Sequence, residues 1–273
     1  MDFEPVSVLS ILAILLVFVV SVGLPFALLV LLRKKTGARI APFFWGCLSF
    51  FVFAMVLEQL LHRVALAVSG RALTENIWLY AIYGGLAAGV FEETGRFVFL
   101  RIVMKKGREP QDALMYGAGH GGIEAILIVG VTYVNNIIYS IMINTSIAEE
   151  ILSALEGEVL DATAAAFTAL STAAPTMFLA AGVERICAIA LHMALSVLVY
   201  TALRRRKFAF VLLAVVLHAL VNAVSVLVNS AVSPWIAEAC ILVMVLLIWW
   251  YAAGLYRAAK REETPLTQEC SED

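Results

Sequence analysis

The amino-acid sequence predicts an all-α fold, a polytopic bundle of about seven transmembrane helices forming a single integral-membrane domain over residues 1–273. Three observations carry this. Of the 273 residues, 62% are hydrophobic and 15% are charged, against roughly 45–50% and about 25% in soluble domains. The apolar residues fall in runs of about 20 or more, enough at about 1.5 Å per residue to cross a hydrocarbon core of about 30 Å. The cationic residues then cluster after alternate runs, so that 15 of the 19 Lys and Arg fall on one side. Positive loops face the cytoplasm, which puts the N-terminus outside and the C-terminus inside. The net charge of −2 argues against a general nucleic-acid-binding protein, and the setting is a cell membrane that the chain crosses several times.

Taken in order, the spans are about 6–32, 41–68, 77–101, 112–142, 174–203, 208–230 and 235–256. The first is too long for a signal-peptide core and follows Asp2 and Glu4 rather than positive charge, so it reads as a retained span. Arg33, Lys34, Lys35 and Arg39 follow it, Arg101, Lys105, Lys106 and Arg108 follow the third, Arg204–Lys207 the fifth, and Arg257, Lys260 and Arg261 the seventh. The longest loop, about 143–173, is acidic, with Glu149, Glu150, Glu156, Glu158 and Asp161. Its Ile147, Ile151, Leu155 and Val159 recur every four residues, which fits a helix over part of the loop packed on the outer face; a plain lid or spacer is the alternative. Residues 261–273 are polar and predict a disordered tail. Cys47, Cys187, Cys240 and Cys270 stand alone, without the paired spacing of a cysteine metal site.

The third span is the informative one. It carries Glu92, Glu93 and Arg96 in its inner half, and each ionisable group in hydrocarbon costs at least about 2.5–3.5 kcal/mol. Three other spans carry His120 with Glu124, His192, and His218 with Asn222. Counted from the nearest cytoplasmic charge, Glu92 lies roughly 14 Å deep, His120 roughly 12 Å, His192 roughly 18 Å and His218 roughly 17 Å. Four helices thus place polar groups in one slab about 6 Å thick. Glu92 and Glu93 stand four and three residues before Arg96, so either can pair with it. One guanidinium does not neutralise two carboxylates, which leaves one of them to exchange protons. His120 and Glu124, and His218 and Asn222, are also four apart and project together. Gly117, Gly119, Gly121 and Gly122 around His120, and Gly85 and Gly89 on the third span, allow close helix approach.

Plainer readings apply elsewhere. A lone His192 is the kind of residue that hydrogen-bonds within a helix bundle, and Glu93–Arg96 alone reads equally as a structural clamp. Glu184 and Arg185 are expected as a solvated pair at the outer rim of the fifth span. Glu58, His62 and Arg63 are expected at the membrane interface.

The motifs EExxR (Glu92, Glu93, Arg96), GHGxxE (Gly119 to Glu124), the His192 span and HxxxN (His218, Asn222) resemble the YhfC family of intramembrane proteases. That family is grouped with the CAAX prenyl endopeptidases, the bacterial CPBP proteases, PrsW and the scaffold subunit of gamma-secretase. The resemblance covers about 77–230. A two-residue gap precedes Arg96 where the CAAX enzymes usually have three, a spacing the YhfC pattern accommodates. By this resemblance Glu92 and His120 activate a water, Glu93 and Arg96 support them, and His218 and Asn222 stabilise an oxyanion. His192 is a ligand or orienting group, and Glu124 is placed to hold one tautomer of His120.

The implied activity is an intramembrane endopeptidase acting in the cytoplasmic half of the bilayer. Its partners are membrane lipid and a protein or peptide substrate, which by analogy is membrane-embedded or lipidated. Zinc is one option, with Glu92, His120, His192 and His218 as its ligands; the CAAX relatives favour a metal-free glutamate mechanism. Two rival readings are a non-catalytic scaffold and a proton-coupled transporter. The odd span count and the lack of an internal repeat speak against the transporter.

Overall fold

The computed structural model describes residues 3–105, 109–145 and 147–263, so most of the tail expected to be disordered lies outside the described residues. The described chain is helical and contains no strand. In order, the helices are α1 (Val8–Thr36), α2 (Ala41–Ser69), α3 (Ile77–Val98), α4 (Pro110–Asn144), α5 (Ile147–Ser153), α6 (Gly157–Thr172), α7 (Pro175–Arg205), α8 (Ala209–Ala231) and α9 (Pro234–Glu263), with one further helical turn, Ala72–Glu75, between α2 and α3. Three stretches widen to π-helical turns: Phe51–Glu58 within α2, Phe99–Val103 continuing α3, and Ala125–Gly130 within α4.

Among the described residues, six helices are long and apolar enough to cross a membrane: α1, α2, α4, α7, α8 and α9. The expectation of seven includes α3, which has 22 residues and hence a length of about 33 Å. Glu92, Glu93 and Arg96 lower its hydropathy. The polar residues that mark the candidate site are what set this helix apart from the other six.

The chain divides into two compact units, residues 1–24 with 124–186, and residues 25–123 with 187–273. The first has an apolar core built from Ile14 and Val17 of α1, Val129 and Tyr133 of α4, Phe167 and Leu170 of α6, and Phe178 of α7. Asn144 at the end of α4 holds the start of the chain. Its Oδ1 accepts from the Val6 N–H at 2.8 Å and its Nδ2 donates to the Val6 carbonyl at 3.0 Å. The acidic segment forms two helices rather than one, because Gly157 takes a left-handed φ of +61° between them. Its buried face is Ala148 and Leu152, then Ala164, Phe167 and Leu170. The expected stripe fails at Ile147 and Val159, which are exposed, as are all five acidic residues.

In the second unit the helices are brought together at glycines. A Cβ on Gly85 would run into the Ala219 carbonyl of α8, and one on Gly89 would lie 2.7 Å from the Val215 carbonyl. On α4, Gly117 abuts the backbone of His192 and Met193 in α7, and Gly119 abuts the Phe43 carbonyl of α2. Without a hydrophobic drive between helices in lipid, such backbone contact and polar contacts supply the association. Where α1 turns into α2, the Arg39 guanidinium donates from Nε and Nη2 to Asp112 Oδ2 at 3.0 and 2.5 Å, fastening that turn to the start of α4. The hydrogen bond to Asp112 holds the Arg39 side chain even further towards its charged form.

Gly84, next to Gly85, faces open space, which gives an internal control. Gly85→Ala is expected to destabilise the purified protein by roughly 1–3 kcal/mol through overpacking, and Gly84→Ala to leave it unchanged. Thermal unfolding in detergent measures both, and equal effects would contradict the close approach.

Candidate functional site

The candidate site is assembled in the second unit from α3, α4, α7 and α8. On α3, Glu93 and Arg96 lie one turn apart and are both wholly inaccessible, at 0% exposure. Arg96 Nη1 donates to both carboxylate oxygens of Glu93, at 2.5 and 2.6 Å. Its Nη2 donates to His192 Nδ1 of α7 at 2.8 Å. Glu93 Oε1 lies 2.9 Å from His218 Nδ1 of α8. One guanidinium and one carboxylate thereby tie three helices.

Glu92, the preceding residue, points about 100° away around α3. Its Oε2 is 2.8 Å from His120 Nε2 of α4 and 3.9 Å from His192 Nε2, and its Oε1 is 4.0 Å from His218 Nε2. The rings of His120 and His192 lie 4.7 Å apart between centroids, and those of His192 and His218 5.1 Å. Phe50 of α2 and Tyr116 of α4 pack around the His120 ring, at 5.4 and 6.1 Å.

The structure thus brings together Glu92, Glu93, Arg96, His120, His192 and His218. Asn222 lies one turn beyond His218 on α8, half-buried, and its side chain makes no hydrogen bond among the described residues. Glu124 has a partner other than the expected His120. In the first unit its Oε1 accepts from Arg185 Nη1 at 2.9 Å, while Arg185 Nη2 donates to Glu184 at 2.5 Å. Arg185 is accordingly buried rather than solvated at a rim, its charge met by the two carboxylates that share it. Glu58, expected at the interface, is also buried and bonded to His62, whose other nitrogen meets the Tyr83 hydroxyl at 2.8 Å.

Three features escaped the sequence. Tyr116 stands four residues before His120 and was open to the same spacing argument, whereas nothing in the chain signals Phe50. That Arg96 would reach His192, 96 residues away, is a tertiary fact without a local signature.

The sequence profile described as "YhfC intramembrane metalloprotease" matches residues 17–248. The chain belongs to the YhfC family. It is 38% identical over 233 residues to the Bacillus subtilis (strain 168) protein entitled "Uncharacterized membrane protein YhfC", covering 83% of this chain and 89% of that one. No solved structure matches the chain. Together with its apolar helices, membership of the YhfC family makes it a multi-pass membrane protein.

The YhfC description implies a metal, and the donor set can be tested for it. Glu92, His192 and His218 offer ligand atoms within 4.8 Å of one another, and two histidines with a glutamate is a known catalytic zinc set. His218 fits such a role. Its Nδ1 faces Glu93, the bond that orients a metal-binding imidazole and leaves Nε2 with its lone pair. His192 does not. Arginine only donates, so His192 Nδ1 accepts, and the neutral ring carries its proton on Nε2, the atom that faces Glu92. The trio is compatible with a zinc, but as arranged it offers two lone pairs and one N–H, so a three-ligand zinc would require His192 to give up its Nε2 proton.

Arg96→Met is expected to strand the buried Glu93 carboxylate and destabilise the fold by about 3–5 kcal/mol. Adding Glu93→Gln should recover a large part of that loss. Unfolding of the single and double variants checks this; equal stability of Arg96→Met and the parent protein would contradict the strut.

Proposed function

We propose that the chain is an intramembrane endopeptidase in which Glu92 activates water by general base catalysis. The observation that carries this reading is the division of labour between adjacent carboxylates. Glu93 is bound by Arg96 through both oxygens, while Glu92 meets His120 and faces two further imidazoles at 3.9 and 4.0 Å. Glu92 takes a proton from the water, the hydroxide oxygen attacks the peptide carbonyl, and the tetrahedral intermediate collapses as the same proton passes to the leaving amine. His120, bonded to Glu92, holds that carboxylate in position and adjusts its basicity. The developing oxyanion is met by donors: His192 Nε2–H, fixed as a donor by Arg96, and the Asn222 amide beside His218. Arg96 and Glu93 position these groups without touching the reacting atoms.

In this reading α3 crosses the membrane as a seventh span, the N-terminus is outside and the C-terminus is in the cytoplasm. The reaction then takes place in the cytoplasmic half of the bilayer, on a membrane-embedded or lipidated protein or peptide. A zinc, where bound, would lower the pKa of its water; no step above depends on one.

A scaffold reading draws on the same strut, since Arg96, Glu93, His192 and His218 brace three helices. Glu92→Gln separates the two, because Glu92 stands outside the strut. Cleavage of a fluorogenic transmembrane peptide by the purified protein is expected to disappear in Glu92→Gln while the unfolding midpoint stays that of the parent. Full activity in that variant would overturn the catalytic assignment, and loss of assembly with it would favour the scaffold. Asn222→Ala is expected to lower kcat by about 100- to 1,000-fold with KM little changed. Cleavage is expected to survive dialysis against a strong chelator; its loss, with recovery on adding zinc, would show that His192 gives up its ring proton to a metal.

A further inference from the structure

A cavity of about 360 Å³ lies where the end of α3 meets the turn from α7 into α8, lined by Phe97, Arg101, Ala202, Leu203, Arg206 and Phe208. It begins at Phe97, the residue after Arg96, and its Arg101 stands five residues past Arg96, about 7–8 Å along the helix axis. Neither of its guanidinium groups has a carboxylate partner among the described residues; Arg33, Arg63, Arg205, Arg257 and Arg261 share that state, but only Arg101 and Arg206 meet at this cavity. Two uncompensated cations on one small cavity call for an anion.

Both arginines are placed rather than loose. The Arg101 guanidinium stands 5.5 Å over the Phe97 ring, and Phe97 meets Phe208 edge to face at 5.8 Å. Arg206 has a left-handed φ of +54°, the only non-glycine residue with a positive φ among those described. The Lys207 N–H closes on the Ala202 carbonyl at 3.0 Å, so Arg206 occupies the position of a helix-terminating motif that glycine normally fills. An arginine there strains the backbone and sets its side chain at the cavity.

The ligand chemistry follows from the walls. Paired guanidinium groups bind phosphate oxygens in a fork geometry. The apolar wall is Phe97, Ala202, Leu203 and Phe208, and Phe208 is more than half exposed, as are Ile102 and Leu212, the residues next to Arg101 and four beyond Phe208 along the chain. Basic pockets at helix ends on the positively charged side of a membrane protein take anionic headgroups. We propose that this cavity binds the phosphate headgroup of an anionic phospholipid, with its acyl chains leaving past Phe97 and Phe208.

The test uses the full-length protein in uncharged detergent, titrated with phosphatidylglycerol, phosphatidylcholine or glycerol 3-phosphate, and read as the thermal unfolding midpoint and as bound lipid by native mass spectrometry. Phosphatidylglycerol is expected to bind and raise the midpoint, and the other two to do neither. Arg101→Gln and Arg206→Gly should each weaken phosphatidylglycerol binding about tenfold or more. Arg206→Gly should also leave the lipid-free midpoint equal or higher, since glycine relieves the left-handed backbone, which separates lost binding from lost folding. Lys34→Gln removes a charge outside the cavity and should leave binding unchanged. Equal weakening in Lys34→Gln would reduce the effect to diffuse attraction and overturn the site. An equal response to glycerol 3-phosphate would reassign the cavity to a soluble phosphate, and displacement of the lipid by an acidic peptide would reassign it to substrate; either result overturns the lipid assignment.

Discussion

The pairing of Arg96 with Glu93 is the constraint on which the second unit depends. Both groups are wholly removed from solvent, where an ion without its counter-ion costs several kcal/mol. Each therefore has to be where the other can reach it, and each reaches further. The guanidinium extends to His192 and the carboxylate to His218, so the pair sets the distances among α3, α7 and α8. Charge compensation and helix assembly are the same event here. The neighbouring carboxylate of Glu92 inherits a fixed frame without bearing its load.

The frame is completed by the backbone. Gly85 and Gly89 let α8 close on α3, and Gly117 lets α7 close on α4, which brings imidazoles on separate helices to within about one ring's width. Side chains of ordinary size at these positions would hold the helices apart by more than a hydrogen bond tolerates. The first unit uses other means: an aliphatic and aromatic core, the two hydrogen bonds from Asn144 to Val6, and a guanidinium shared by Glu124 and Glu184. Both units combine close packing with buried polar contacts, the second around a central ion pair and the first around an apolar core.

Much of this was legible in the chain. Apolar runs give the helices because a bilayer leaves the backbone few alternatives, and a shared depth for Glu92, His120, His192 and His218 anticipated their meeting. The i, i+3 pairing of Glu93 with Arg96 is helical geometry alone. Less legible was the direction in which polar residues on neighbouring helices face. Glu124 stands one turn from His120 yet bonds Arg185 across to α7, because spacing along a helix gives reach and not choice of partner. Arg185 was expected in water and Glu58 at the membrane interface for the same reason: hydropathy near a helix end does not tell whether another helix covers it. The tautomer of His192 is set by a guanidinium 96 residues away, and no local pattern carries that.

The low hydropathy of α3 bears on how the protein is made. The Glu93 carboxylate finds Arg96 within its own helix, but its bond to His218 waits for a residue 125 positions later in the chain. Until α8 has been synthesised, α3 carries charges that lipid would reject. In the proposed reading, where α3 spans the membrane, its charges weigh against insertion until that partner is present, which couples the stable placement of α3 to the synthesis of α8.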